Sequence, residues 1–183
     1  MSVHAQADAL RARYEALEPS PVDRGIVELV VRRPAEGERE VLDQATLDVE
    51  DGLVGDDWRA RGSRHTDDGS AHPGTQVTLV NARVIDLLAG DRERWPLAGD
   101  QLYVDLDLSP ENLPAGARLT VGTAIVEVTD VPHTGCAKFT ERFGHDAIRF
   151  VNSPTGRARR LRGMYVRVVE GGIVRPGDAI AKL

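Results

Sequence analysis

Cys136 is the one cysteine among the 183 residues, and its neighbours give it a chemical setting. An alternating apolar run from Thr123 to Val131 predicts a strand with one face buried. The residues after Gly135 suit a short helix, which Gly144 would end as a left-handed cap. Cys136 would then stand where a strand gives way to a first helical turn. Unpaired N–H groups and the positive end of the helix dipole favour a thiolate there, and Lys138 and Arg142 would add to that. A thiolate attacks electrophiles and binds soft metals. The competing reading is that a lone cysteine is a small buried filler. His133, three residues earlier, is a candidate proton partner for the thiol, against the plainer role of a loop histidine pointing to water. His65 and His72 have no regular zinc spacing and are expected to be exposed, and His145 suits the end of a helix.

Arginine accounts for 21 of the 23 basic residues, leaving only Lys138 and Lys182. So few lysines argue against an internal pyridoxal phosphate site, which needs a Schiff-base nitrogen. Gly156 to Gly163 (GRARRLRG) holds four arginines and no acid in an acidic chain. Guanidinium forks suit phosphate, so Arg157, Arg159, Arg160 and Arg162 are candidate anion ligands. The alternatives are a solvated basic face and, for Arg162, a structural role. Glu111 and Asn112 either hydrogen-bond a ligand's polar edge or fix a turn. Asp56 is expected to cap the turn at Gly55.

The elements that must position these residues read as a strand-rich body. Residues 4–17 have helical spacing and end at a Pro-rich turn, giving a helical extension over residues 1–24, outside the main core. Residues 25–183 form a single domain. Strands are predicted over 25–31, 40–47, 76–80, 101–108, 119–121, 124–131, 164–169 and 173–180. Asn81 and Gly90 bracket a helix over 82–89, Gly122-Thr123 marks a hairpin, and 149–162 is irregular or helical. The polar stretch 59–75 has too little apolar content for an element, so it is functional or disordered. Many short strands and few helices predict a mainly β fold, a β-barrel with a few decorating helices, rather than a doubly wound parallel sheet. The net charge of −6 and the 4% aromatic content argue against nucleic-acid and membrane-surface partners. One cysteine, no signal-peptide core and no spanning apolar stretch lead us to expect a cytoplasmic protein.

Four stretches, taken in order over about residues 25–182, resemble a MOSC domain, the module named after the C-terminal part of molybdenum cofactor sulfurase. They are Gly52-Leu53-Val54-Gly55-Asp56, Glu111-Asn112-Leu113, Cys136-Ala137-Lys138-Phe139 with Arg142-Phe143-Gly144, and Arg162-Gly163-Met164-Tyr165-Val166 with Gly171 to Val174 and Gly177-Asp178. Two stretches depart from the family pattern. Ala71-His72-Pro73-Gly74-Thr75 replaces a His-Gly-Gly loop, and Pro132-His133-Thr134-Gly135 lacks a second proline before Cys136, which leaves a more flexible approach.

The resemblance, to a stand-alone bacterial-type member, implies a β-barrel whose cleft holds Cys136. It implies that the thiolate coordinates the molybdenum of the molybdopterin cofactor or carries sulfane sulfur. One cysteine suffices beside a dithiolene, whereas structural zinc needs four ligands. On this reading Cys136 is the metal ligand, with His133 as its catalytic partner. Glu111, Asn112, Lys138, Arg157, Arg159, Arg160 and Arg162 would bind the cofactor. The implied work is reduction of N-hydroxylated compounds, with electron-transfer partner proteins, or cofactor sulfur transfer. The alternatives are a metal-free persulfide carrier fed by a cysteine desulfurase and a non-catalytic β-barrel binding module.

Overall fold

The structure, a computed structural model, describes residues 3–183. Eleven strands form: β1 (Arg24–Arg32), β2 (Glu40–Val41), β3 (Ala45–Asp48), β4 (Gly52–Leu53), β5 (Val77–Asn81), β6 (Leu102–Asp105), β7 (Arg118–Val121), β8 (Ala124–Val128), β9 (Met164–Glu170), β10 (Gly172–Val174) and β11 (Ala179–Lys182). Five α-helices accompany them: α1 (Val3–Glu15), α2 (Trp58–Arg61), α3 (Ala82–Ala89), α4 (Ala137–Asn152) and α5 (Pro154–Ala158).

Seven strands close a barrel in the order β1-β11-β7-β8-β9-β5-β6 and back to β1. The closing seam pairs Arg24 with Ala181 and Ile26 with Ala179. Closure at this point demands a bare backbone, because a Cβ on Gly25 would sit 1.8 Å from the Asp105 carbonyl oxygen of β6. Most neighbours are antiparallel, and the β7–β8 hairpin turns at Gly122-Thr123 as predicted. β5 and β6 run parallel, joined through α3, so the strand, helix and strand expected over 76–80, 82–89 and 101–108 form one crossover unit whose parallel pairing the sequence pattern did not announce.

The interior of the barrel is aliphatic, with Val27, Leu79, Leu102, Val121, Val126, Val166 and Ile180 all inaccessible to solvent. A second apolar layer lies between the outside of β1, β5 and β6 and the helices, built from Val80, Ile85, Trp95, Tyr103, Phe139 and Phe150. β5 is therefore buried on both faces from Val77 to Val80, Thr78 included. Because the helices cover this flank, helix (29%) and strand (28%) are nearly equal in extent.

Several local expectations shift, and the strand expected over 173–180 is two, β10 in a small separate sheet and β11 in the barrel. Gly144 does not end its helix: with φ 88° and ψ 170° it kinks α4, which resumes to Asn152 because Ala147, Phe150 and Val151 continue the buried face. The strand expected over 40–47 breaks at a bend on Asp43, so that β2 stays beside β1 while β3 joins β10 and β4 in a separate small sheet. Helix α1 lies outside the barrel interior but packs on the second layer through Leu10 and Tyr14, whose ring meets Phe150 edge-on at 5.7 Å. Helix α3 begins and ends as expected, with Asn81 accepting from the Val84 N–H and Gly90 in the left-handed conformation. Among the described residues no helix is long and apolar enough to cross a membrane.

Candidate functional site

Cys136 caps the N-terminus of α4 with extended backbone, and its side chain makes no capping bond and is exposed. That excludes the buried-filler reading. The approach to it is held, not loose: Asn152, at the far end of α4, accepts from the Gly135 N–H at 3.0 Å and donates to the Gly135 carbonyl at 3.4 Å. A kinked helix thus returns its last residue to brace its own entry, doing the work of the missing second proline.

The thiol opens onto a cleft of about 600 Å³. Its walls come from the end of β1 and the turn after it (Arg33 to Arg39), from α2 and the following loop (Trp58 to His65), and from the Cys136 segment. Arg162 and Tyr165 form the floor. The polar stretch that the sequence left without an element is therefore one wall; it does hold most of α2, anchored by the buried Trp58, and a 3-10 turn over Pro73–Thr75, and it is tied down where Trp58 Nε1 donates to Thr75 Oγ1 at 3.2 Å.

Beneath the floor lies a buried ionic cluster. Arg162 Nη1 donates to Asp100 Oδ2 at 2.7 Å, Arg162 Nη2 donates to the Ala98 carbonyl at 2.9 Å, and the guanidinium lies 4.8 Å from the centre of the Phe139 ring. Asp100 is wholly buried, and its Oδ1 has no hydrogen-bond partner. His133 Nδ1, also unpartnered, faces it at 3.8 Å, too far for a hydrogen bond. Burial pushes the Asp100 carboxyl above its ordinary range, against the pull of Arg162 and Arg33. Burial, with the same two arginines, pushes His133 well below the ordinary histidine range and keeps it neutral. The His133 ring also packs against Tyr165, at a centroid distance of 4.5 Å.

The cleft is cationic in an acidic chain. Some of its arginines are spoken for: Arg33 forms a bidentate pair with Asp56, at 2.9 and 2.8 Å, and Arg61 bonds Asp57 at 3.0 Å. Lys138 reaches Glu36. Arg39, Arg64 and Arg142 line the same cleft and have no carboxylate partner among the described residues. Arg39 carries the signature of crowding: burial first, then Arg142 and Arg33, lower its pKa. Guanidinium groups without carboxylate partners have the chemistry to hold an anion.

The structure brings together Cys136, His133, Lys138 and Arg162 among the residues chosen from sequence. It separates the others. Arg157 and Arg160 line a different cavity of about 400 Å³ behind the His133 loop, whose wall is shared by His133 and Arg162. Arg159 faces a third cavity of about 360 Å³ beside α1. Asn112 braces a turn, donating to the carbonyls of Val22 and Asp107 at 2.8 and 2.7 Å and accepting from Lys182 at 3.0 Å. Glu111 is exposed next to it. Asp56 does more than cap its turn, since it also holds Arg33. His65 lies at the cleft wall, and His72 accepts from the Gly74 N–H at 3.0 Å. Among the described residues no group of three or more His, Cys, Asp or Glu side chains could hold a metal ion unaided. Arg33, Arg39, Arg64 and Asp100 escaped the sequence reading. Only Arg33, a charge at the end of an apolar strand with an Asp-bearing turn elsewhere to answer it, left a usable trace.

A profile described as the MOSC domain matches residues 66–181. Three solved structures show the same fold. The YuaD protein from Bacillus subtilis is 17% identical with a TM-score of 0.64, covering 86% of this chain and 94% of that one. A hypothetical protein is 21% identical with a TM-score of 0.59, covering 87% and 68%. YiiM from Escherichia coli is 19% identical with a TM-score of 0.55, covering 86% and 69%. No curated protein matches significantly.

Proposed function

The chain belongs to the MOSC domain family, and on that premise we propose that its cleft binds the molybdenum cofactor, with the Cys136 thiolate as the protein's ligand to the metal. The observation that carries this reading is the juxtaposition of one exposed thiol with arginines that lack carboxylate partners. The residues fit the group. A molybdenum centre already held by dithiolene sulfurs needs one soft protein ligand, not a cluster. A pterin phosphate needs guanidinium donors, which Arg39, Arg64 and Arg142 provide. The unpartnered Nε atoms of Arg39 and Arg162 are buried donors in want of an acceptor.

When bound, the cofactor supplies two-electron chemistry suited to removing oxygen from an N-hydroxylated substrate. The chain's own residues do the rest. The N-terminus of α4 presents the exposed Sγ of Cys136 to the cleft. Asp100 fixes the Arg162 guanidinium through its Nη1, so that the floor of the cleft does not reorganise. His133, kept neutral, offers one ring nitrogen with a proton and one without, and so can pass a proton where a charged imidazolium could only donate. Electrons would come from a separate electron-transfer protein.

A second reading rests on the exposure of Cys136. An accessible thiolate can accept sulfane sulfur from a cysteine desulfurase and pass it to an acceptor without a metal. One experiment separates the two. The protein and its Cys136→Ser variant are expressed in a host that makes the cofactor, and bound molybdenum and cyanide-releasable sulfur are measured. Near-stoichiometric molybdenum, lost in the variant, is the expected result. Releasable sulfur on Cys136 without metal would replace the first reading by the second. Neither would reject both.

A further inference from the structure

Behind the cysteine cleft, the cavity of about 400 Å³ lined by Arg157 and Arg160 has no role in the function proposed above. Arg160 is half-buried, and one edge of its guanidinium is anchored: Nη1 donates to the Leu113 carbonyl at 2.6 Å and the Leu108 carbonyl at 3.3 Å. No protein acceptor among the described residues takes its Nε or Nη2. Its backbone is left-handed at φ 48°, the one non-glycine residue in that region among those described. Such strain persists where surrounding structure over-determines it, and it clusters at functional sites. Burial alone acts on its charge, with no carboxylate to offset it. The cavity shares its wall with His133 and Arg162, whose polar heads turn the other way, His133 Nδ1 towards Asp100 Oδ1 and the Arg162 guanidinium onto Asp100 and the Ala98 carbonyl. Arg157 adds a further guanidinium, free of carboxylates among the described residues, and the only acid lining this cavity is Asp130, which is exposed.

We propose that this cavity is a second anion site, separate from the cysteine cleft, in which Arg157 and Arg160 bind a small oxyanion such as a phosphate group. A guanidinium pinned on one edge by carbonyls presents its other edge ready-made, which suits an oxyanion better than a free side chain would. The volume leaves room for a small organic group behind the anion.

The test uses the full, metal-free chain labelled with ¹⁵N, titrated with inorganic phosphate and, in a second arm, with acetate, both against chloride at equal ionic strength. Amide resonances of residues 152–163 are expected to shift saturably with phosphate. Arg157→Gln, whose exposed side chain leaves the fold alone, should weaken that response at least tenfold, as should Arg160→Gln. Arg64→Gln, in the other cleft, should leave it intact. Saturation by phosphate alone assigns a phosphate group, and saturation by acetate as well assigns small oxyanions in general. Shifts confined to the cysteine cleft, a response that does not saturate, or an affinity unchanged in Arg157→Gln would overturn the assignment. None of these outcomes depends on whether molybdenum binds.

Discussion

Replacing Arg162 by Met removes the counter-charge of the most deeply buried acid in the molecule while keeping an apolar stem against Phe139. Asp100, fully inaccessible, would then hold a carboxylate facing the neutral His133 at 3.8 Å, with only Thr78 and the more distant Arg33 left to favour its charge. Breaking a buried pair from one side typically costs about 3–5 kcal/mol, and the lost guanidinium–ring contact adds about 1 kcal/mol. Against a typical domain stability of about 5–15 kcal/mol, the variant should remain folded but be visibly weakened at pH 7. The penalty depends on charge, so its sign with pH is fixed. Burial already raises the Asp100 carboxyl in the intact protein, and without Arg162 it rises further. A raised folded-state pKa gives stability that is complete below the unfolded value of about 3.8 and is lost as pH rises through the folded value. The cost of Arg162→Met should therefore shrink as pH falls from 7 towards 4.5. Urea unfolding at the two pH values measures it. The double variant Arg162→Met with Asp100→Leu, which removes both charges, should recover most of the loss at pH 7. A single variant that costs less than about 1 kcal/mol, or a double variant as weak as the single, would refute the account of the buried cluster.

His133 gives the opposite slope. Burial, Arg162 and Arg33 hold it below its unfolded value, so the unfolded chain takes up a proton first as pH falls through 6.5, and stability drops. The slope contributed is at most about 1.4 kcal/mol per pH unit, and His133→Gln should flatten it. Urea midpoints at pH 7.5 and 5.5 for both proteins decide the matter, and equal slopes would place His133 outside the buried cluster. Asn81→Ala should lower stability by about 2 kcal/mol, combining a helix cap worth about 1 with a lost bond to the Leu106 carbonyl. Thermal unfolding should show a fall in Tm of roughly 4–8 °C, and a fall confined to a degree would show that the cap carries little.

The local devices were the legible part of the sequence. Asn81, Gly90 and the Gly122-Thr123 turn act through neighbours a few residues away, so their chemistry is written in adjacent letters. Alternation along β1 and β8 likewise announced half-buried strands. What alternation cannot carry is partnership: nothing in Arg24 to Arg32 says that β1 pairs with both β6 and β11. The parallel β5–β6 pair hid because one crossover is too little to make a visible pattern. In the site, Cys136 and His133 were legible because their types are rare and chemically marked. Asp100 was not, since a carboxylate in the turn between Trp95 and Leu102 looks like any solvated acid until burial gives it meaning. The run Arg157 to Arg162 misled for a related reason. Adjacent arginines on a short helix and its turn point in different directions, and these reach three cavities.

The seam between β1 and β11 has a consequence for synthesis. About 150 residues separate the two strands, and a ribosome adding roughly 5–20 residues per second leaves β1 waiting roughly 8–30 s for its second partner. Through that interval the nascent barrel is an open, curling sheet with a free edge at β1, the kind of edge that recruits neighbouring chains. Arg24 and Glu28 flank the exposed Ile26 along that strand, so a charge stands on either side of its apolar side chain while the strand is unpaired. Charge on the first strand thus guards the chain before there is a cleft, a cofactor or a fold to protect.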